Sequence, residues 1–256
     1  MNLETQNYIC ILQARVESTR LPNKALKMLD NDYSLIEYSI SQLKNSKLLN
    51  GIILATTKMT SDDDLIEIAK REKIPFFRGE SEDVLKRFYD CATYFSVSTI
   101  VRITGDNPLI DPTFVDDAIK IFNSNNFDFV SNCLERTFPY GTEVEIFSFS
   151  ALKRAMKLAK KKSEREHVTP FFFNNPEKFK IFNIRNSQNL SHLRWTVDHE
   201  NDFKLVQKII NKILKRPILT SDIVNLFNKE PELFLINKGN IPDEGYFLSL
   251  QNDKIN

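Results

Sequence analysis

Cysteine is scarce in this chain. Its 256 residues contain only Cys10, Cys91 and Cys133. They are far apart, odd in number and form no CxxC pair, which argues against a disulfide framework and fits a reducing cytoplasm. No apolar run approaches the ~18 residues of a membrane span, and the N-terminus lacks a basic region followed by an apolar signal core. The expectation is therefore a cytoplasmic protein with no membrane partner. An excess of either charge is also missing: 35 basic side chains face 34 acidic ones, a formal net charge of +1. That balance argues against a general nucleic-acid binder, which needs a basic excess or a strong basic face, so any anion site must be local. Neither glycine-rich phosphate signature, GxxxxGK[ST] or GxGxxG, occurs. Internal repeats, low-complexity linkers and a clear domain boundary are absent too.

What is present is ordinary for a globular chain, with 41% hydrophobic and 27% charged residues. The length suits one large α/β domain or two small ones. Tyr8–Gln13 reads as a buried strand, Ser34–Lys44 as a helix and Gly51–Thr57 as a second strand. Ser61 reads as the cap of a helix with an acidic first turn, Asp62–Asp64, and Leu65, Ile66, Ile68 and Ala69 on one side. Ile74–Phe77 is a third strand, Asp83–Phe95 a helix and Thr99–Thr104 a fourth strand. Pro112 opens a helix through Phe114–Phe122, and Phe127–Ser131 is a fifth strand. Alternation of this kind predicts a largely parallel, doubly wound sheet whose ligands bind at the carboxyl ends of the strands. In the second half, Gly141–Phe149, Phe179–Arg185 and His192–Val197 read as strands. Ala151–Lys162, Asn201–Leu214 and Thr220–Asn228 read as helices. The tail after Pro231 reads as a surface wrap.

Three segments hold the chemistry. The first strand feeds a cationic, hydroxyl-rich loop with Arg15, Ser18, Thr19, Arg20 and Lys24. Guanidinium forks, an ammonium and loop N–H groups suit a polyphosphate, although a solvated basic loop has the same composition. The second segment, Arg102–Pro112, places Gly105 and Asp106 just after the fourth strand. A carboxylate there could hold Mg²⁺ against phosphate oxygens, or serve as a turn aspartate. Asp111-Pro112 is a helix cap with proline at the first helical position. The third, Arg194–Phe203, ends an extended run in Asp198, which could pair with Asp106 around a divalent cation or cap the next helix. Asp202 belongs in that helix's first turn. The residues favour a solvated face for Asp83, Glu145 and Glu164, and a solvated helix end for the basic run Lys157–Lys162.

QARVESTRLPNKAL resembles the N-terminal signature of the SpsF-type cytidylyltransferases, the spore-coat polysaccharide protein F family, which is similar to the CMP-Kdo and CMP-acylneuraminate synthetases. RGESEDVLKRFYDCA, VRITGDNPLIDP, FPYGTEVEIFSFSAL, EREHVTPFF and LRWTVDHENDF follow in the same order as in that family. The resemblance implies a nucleotide-diphospho-sugar transferase-like (Rossmann-like) α/β fold: a mixed, mostly parallel sheet flanked by helices. It implies a single nucleotidyltransferase domain over 1–256, with a nucleotide-binding half to about 130, an acceptor-binding and dimerisation half over about 131–230, and a tail over 231–256. The implied reaction joins CMP from CTP to a sugar acid or related small acceptor, releases pyrophosphate and uses Mg²⁺. The implied product feeds surface polysaccharide or glycoconjugate synthesis, and a homodimer is expected. A glycosyltransferase or sugar-phosphate nucleotidyltransferase on the same fold, or an inactive nucleotide-binding protein, is the alternative.

Matched by position, Arg15, Ser18, Thr19, Arg20 and Lys24 would hold the triphosphate, and Asp106 and Asp198 the metal. Arg15, Lys24 and Asp106 would be catalytic. Gln13, Ala14, Ala55, Thr56, Thr57 and Gly105 would line the nucleotide site. Glu80, Arg87, Glu143, Arg165, Glu166 and His167 would meet the acceptor. Two positions depart from the usual QARMGSTRLPGKVL. Glu17 replaces Gly and adds negative charge beside the loop. Asn23 replaces Gly, and asparagine tolerates a left-handed backbone better than most residues.

Overall fold

Apolar residues occupy consecutive positions in the first strand because both of its faces are covered. The structure, a computed structural model, describes residues 7–253. Along the chain run β1 (Tyr8–Gln13), α1 (Leu35–Leu43), β2 (Gly51–Thr57), α2 (Asp63–Arg71), β3 (Phe76–Gly79), α3 (Val84–Tyr94), β4 (Thr99–Thr104), α4 (Pro112–Ser124) and β5 (Phe129–Ser131). Then come β6 (Glu145–Ser148), α5 (Phe149–Leu158), α6 (Lys162–His167), α7 (Pro170–Phe173), β7 (Ile181–Asn183), α8 (Glu200–Lys212), α9 (Thr220–Lys229) and α10 (Glu244–Asp253).

The strands form one seven-stranded sheet in the order β3-β2-β1-β4-β6-β5-β7. β1 runs parallel to β2 and β4, and β2 to β3. β6 is antiparallel to β4 and β5, and β7 is parallel to β5. The chain builds outward from β1 to β3, then returns to place β4 on the other side of β1. That reversal opens a crevice at the carboxyl ends of β1 and β4, the usual ligand position in such sheets.

Alternating residues of β1 serve two cores. Cys10 and Leu12 pack with Ile36 and Ile40 of α1, Leu65 and Ile68 of α2, and Val115 and Ile119 of α4. Ile11 faces the other way, toward Leu85 and Phe88 of α3, Leu152 of α5 and Phe172 of α7. A third core gathers Leu35 and Tyr38 with Trp195, Phe203, Val206 and Phe227. It anchors the segment leading to Asp198 against α8 and α9. Asp111 accepts from the Thr113 N–H at 2.9 Å ahead of Pro112, so α4 starts as expected.

Several elements differ from the sequence reading. β3 sits two residues later than Ile74–Phe77, and β5 starts at Phe129. α2 begins at Asp63, because Ser61 and Asp62 lie in a 3-10 turn and the Asp62 carboxylate points away from the helix. Strand β6 is only Glu145–Ser148: Gly141 has φ 103°, and a Cβ there would lie 2.6 Å from the Thr196 nitrogen, so the chain crosses tightly over the 195–196 backbone before entering the sheet. The expected strand His192–Val197 makes only an isolated bridge from Tyr140 to Arg194. Its remaining bonds go to loops, such as Val197 N–H to the Asp106 carbonyl at 2.9 Å. The helix expected over Ala151–Lys162 stops at Leu158, where Ala159 turns extended. The tail runs over the surface as expected, largely exposed, but part of it is helical. It forms α10, which lies over the cavity described below.

Phe172 is fully buried, stacked 4.9 Å from Phe129 and 5.3 Å from Phe147. Phe172→Ala is expected to cost about 3–5 kcal/mol of stability, read as a lower urea midpoint.

Candidate active site

Main-chain contacts fix the loop after β1 at both ends. At its start the Ala14 N–H donates to the Ala55 carbonyl at 3.2 Å, and the Val16 N–H to Asp62 Oδ1 at 2.7 Å. Asp62 also accepts from the Thr56 hydroxyl at 2.8 Å, the Thr57 N–H at 3.0 Å and the Thr57 hydroxyl. Burial opposes ionisation of this carboxyl, but those hydrogen bonds outweigh it and hold it below its ordinary value. At the far end Asn23 adopts the left-handed conformation, φ 56° and ψ 22°, which is the role its glycine counterpart would fill. The buried Leu21 and Ala25 then pin the turn that presents Lys24.

Gly105 brings the second segment alongside. Its N–H donates to the Gln13 carbonyl at 2.8 Å. A Cβ at this position would meet the Ala14 Cβ, the Gln13 carbonyl oxygen and the Ile36 side chain, each at 2.9 Å. The approach therefore requires glycine, and it places Asp106 beside the loop.

Lys24 joins the three segments. Its Nζ donates to the Val197 carbonyl at 2.7 Å and to Asp198 Oδ1 at 3.0 Å, and lies 3.5 Å from Asp106 Oδ2. Asp198 also takes Arg20 at 2.8 Å and Arg194 at 2.8 Å. Burial works to raise the Asp198 carboxyl, but Lys24 and Arg20 outweigh it and hold it well below the usual carboxylate range. The capping role open to Asp198 falls instead to Asp202, which accepts from the Asp198 and His199 N–H groups at 3.0 Å each. Asp198 is thereby left to face the cations.

Arg20, Lys24, Asp106 and Asp198 line a cavity of about 570 Å³ at the β1/β4 reversal, with Gln13, Arg15, Ser18, Thr19 and Gly105. Two oxygens there are buried without a hydrogen-bond partner, Gln13 Oε1 and Asp106 Oδ1. Glu17 is exposed at the cavity rim, where its charge faces solvent. A family model described as cytidylyltransferase matches residues 9–228. The chain belongs to the cytidylyltransferase family.

It is 38% identical over 240 residues to protein MJ1063 of Methanocaldococcus jannaschii, covering 93% of this chain and 97% of that one. It is 27% identical over 232 residues to the spore coat polysaccharide biosynthesis protein SpsF of Bacillus subtilis, covering 87% and 94%. A cytidylyltransferase structure from Leptospira borgpetersenii superposes with a TM-score of 0.86 at 32% identity, over 92% of this chain and 98% of that one. This cytidylyltransferase is accordingly a nucleotidyltransferase enzyme with the mixed, mostly parallel sheet of the nucleotide-sugar transferase fold.

The far end of the cytidylyltransferase cavity is lined by Arg87, Arg102, Glu166 and His167. Arg87 is buried and donates to the Glu80 carbonyl at 2.8 Å; burial, with the Arg15 charge nearby, lowers it to about 10. Burial likewise lowers His167 to about 4 and keeps it neutral at pH 7, against the opposing pull of Glu166.

Other assigned residues lie outside this cavity. Arg165 is committed to Asp83, with Nε at 2.9 Å, and to the Ala159 carbonyl. Glu143 is used by Arg136 at 2.6 Å, Asn107 at 3.0 Å and the Gly141 N–H at 2.9 Å. Glu80 is exposed near Lys58 at 3.5 Å. Ala55, Thr56 and Thr57 are buried against Asp62 and the loop backbone, and do not line the cavity. Nor are Asp83, Glu145 and Glu164 a solvated face. Asp83 caps α3 and holds Arg165, Glu145 is buried against Arg102, and Glu164 is buried and accepts from the Lys161 N–H at 3.3 Å. Lys162, from the basic run, lines the cavity.

Sequence reasoning missed Arg102, Asp62 and α10. A signal existed for Arg102, a charge inside the apolar run TIVRIT, since a buried charge needs a partner. None marked Asp62, whose partners arrive from two other segments.

Asp62→Ala would strand the buried Val16 and Thr57 N–H groups and is expected to cost about 1–3 kcal/mol in urea unfolding. His167 yields a pH test. Its folded value of about 4 lies below its ordinary 6.5, so the unfolded chain binds the proton more readily as pH falls from 6.5 toward 4. Stability should drop through that window in the native chain, and His167→Gln should flatten part of the drop in parallel denaturation curves.

Proposed function

We propose that this enzyme transfers CMP from CTP to a small sugar acid or related sugar-like acceptor and releases pyrophosphate. One observation supports the reading above others: Arg15, Arg20 and Lys24 converge with Asp106 and Asp198 on one cavity at the β1/β4 reversal. Gln13, with its unpaired oxygen, would accept from an amino group on the base. Arg87 and Arg102 at the other end suit an anionic or hydroxyl-rich acceptor. The SpsF relative suggests surface polysaccharide or glycoconjugate synthesis as the destination. Homodimer assembly in the cytoplasm belongs to the same reading.

Mg²⁺ fits this site on chemical grounds. Among the described residues no three acidic, histidine or cysteine side chains gather into a closed metal cage. Mg²⁺ usually takes only one or two carboxylates and completes its shell with water and substrate phosphates. Asp106, with one carboxylate oxygen unpaired, and Asp198 match that requirement. Bound there, the ion would supply charge neutralisation at the phosphate oxygens.

The acceptor oxygen attacks the α-phosphorus in line, a new P–O bond forms, and the bond to the β-phosphate oxygen breaks as pyrophosphate leaves. Arg15, Arg20 and Lys24 offset the charge that develops on the phosphates, from positions set by the loop backbone rather than reorganised during the reaction. An acceptor that arrives as an anion needs little help with its proton. For a hydroxyl acceptor, neutral His167 is available at the acceptor end.

Pyrophosphate release should be screened with the common nucleoside triphosphates against a panel of sugar acids and phosphorylated polyols. CTP-dependent release is expected. Consumption of a nucleotide sugar instead would make the protein a glycosyltransferase. Asp106→Asn should lower pyrophosphate release by about 10²-fold or more with the fold retained, and EDTA should abolish release until Mg²⁺ is restored. Full activity in Asp106→Asn would remove the metal assignment.

A further inference from the structure

Helix α10 lies beyond the family match of residues 9–228, yet it closes one side of the cavity with Gly245, Leu248 and Ser249. It is poorly anchored by apolar packing. Ser249 is its only buried residue, while Phe247 and Leu248 are 55% and 52% exposed. Polar ties hold it instead: Asp253 accepts from the N–H of Ser163 in α6 at 3.0 Å and from its hydroxyl, and the other ties go to site residues. The Glu244 carboxylate lies 3.5 Å from Arg20 Nε and 3.2 Å from His199 Nε2. The Ser249 hydroxyl lies 2.9 Å from His167 Nε2 and 2.9 Å from Glu166 Oε2. Tyr246 meets the His167 ring edge-on at 5.2 Å.

Two of these ties resemble ligand contacts. A carboxylate on Arg20 occupies a guanidinium that suits a phosphate. A hydroxyl between a carboxylate and a neutral imidazole occupies partners that suit a sugar hydroxyl. The protein holds His167 there at a conformational cost. Val168, a β-branched residue, adopts φ 71° and ψ −58°, and the Thr169 N–H closes a γ-turn onto the His167 carbonyl at 2.8 Å. Such backbone strain concentrates at functional sites.

We propose that α10 is an internal plug carrying stand-ins for both substrates: Glu244 for a phosphate on Arg20, and Ser249 for an acceptor hydroxyl between Glu166 and His167. The inference rests on the proposed reaction. A triphosphate that engages Arg20 displaces Glu244 and then repels it, and α10, lacking an apolar anchor, withdraws from the acceptor end. Nucleotide binding thereby opens the Glu166–His167 subsite to the second substrate.

The test is direct binding of CTP with Mg²⁺ by calorimetry to the full chain and to Glu244→Gln, combined with amide hydrogen exchange over 244–253. Glu244→Gln should bind CTP about two- to fivefold more tightly, the range expected for loss of a partly exposed competing ion pair. Saturating CTP with Mg²⁺ should speed exchange in α10 of the native chain. Ser249→Ala should speed α10 exchange without nucleotide and, because it loosens the same plug, tighten CTP binding as well. If CTP binds while α10 exchange slows or stays constant, or if Glu244→Gln binds no more tightly, α10 is a fixed wall or a closing lid and the plug is overturned. Failure of both proteins to bind CTP, with their circular dichroism unchanged, overturns the CTP reading and the plug with it.

Discussion

The ammonium of Lys24, held between Asp198 and Asp106, is the interaction on which the rest of the site depends. Its contacts at 3.0 and 3.5 Å tie together three segments, the outer two of which are 174 residues apart in the chain. Arg20 and Arg194 extend the same cluster through Asp198. Protein charges balance one another across the cavity, so the whole chain can be nearly neutral while the site is strongly polar. A bound polyanion and its metal would redistribute this balance: the cations toward phosphate, the carboxylates toward the metal. In the proposed reaction these groups would already be in place when charge develops, and little reorganisation would be needed.

Carboxylates that never reach the cavity make this arrangement possible. Asp62 gathers the start of the cationic loop and the end of β2 around one buried anion. Asp202 takes the helix-capping bonds and leaves Asp198 free, and is itself held by Arg194 and by Asn237 at 2.7 Å. Asp111 starts α4 and also accepts from the Thr220 N–H at 2.7 Å, joining α4 to α9. Each of them satisfies backbone donors that would otherwise be buried and unpaired, a large penalty beside the modest net gain of an ordinary hydrogen bond. They function as scaffold.

Much of the first half was legible because strand and helix alternate there with clean periodicity, and parallel strands buried on both faces read as unbroken apolar runs. The loop after Gln13, Gly105-Asp106 and Asp198 all sit at ends of extended segments, where the sheet's geometry brings chemistry together. The second half was less legible. Gly141–Val144 and His192–Val197 have strand-like patterns but pair with loops, since burial alone does not specify a ladder partner. Arg165 and Glu143 have the composition of ligand-binding residues, yet Asp83 and Arg136 reach them first. Local sequence does not reveal which of several nearby partners a charge will take.

By itself, the sequence determined the α/β alternation, the strand-end positions of the cationic loop and of Asp106, and the tolerance of Asn23 for its left-handed turn. These follow from short-range periodicity and from the conformational preferences of single residues. Only the tertiary structure decided that Lys24 bridges Asp106 and Asp198, that Asp202 rather than Asp198 caps α8, and that the C-terminal helix lies across the cavity with Glu244 on Arg20. These depend on contacts between residues far apart in the chain, and such contacts are chosen by the packing of whole elements rather than by any local pattern.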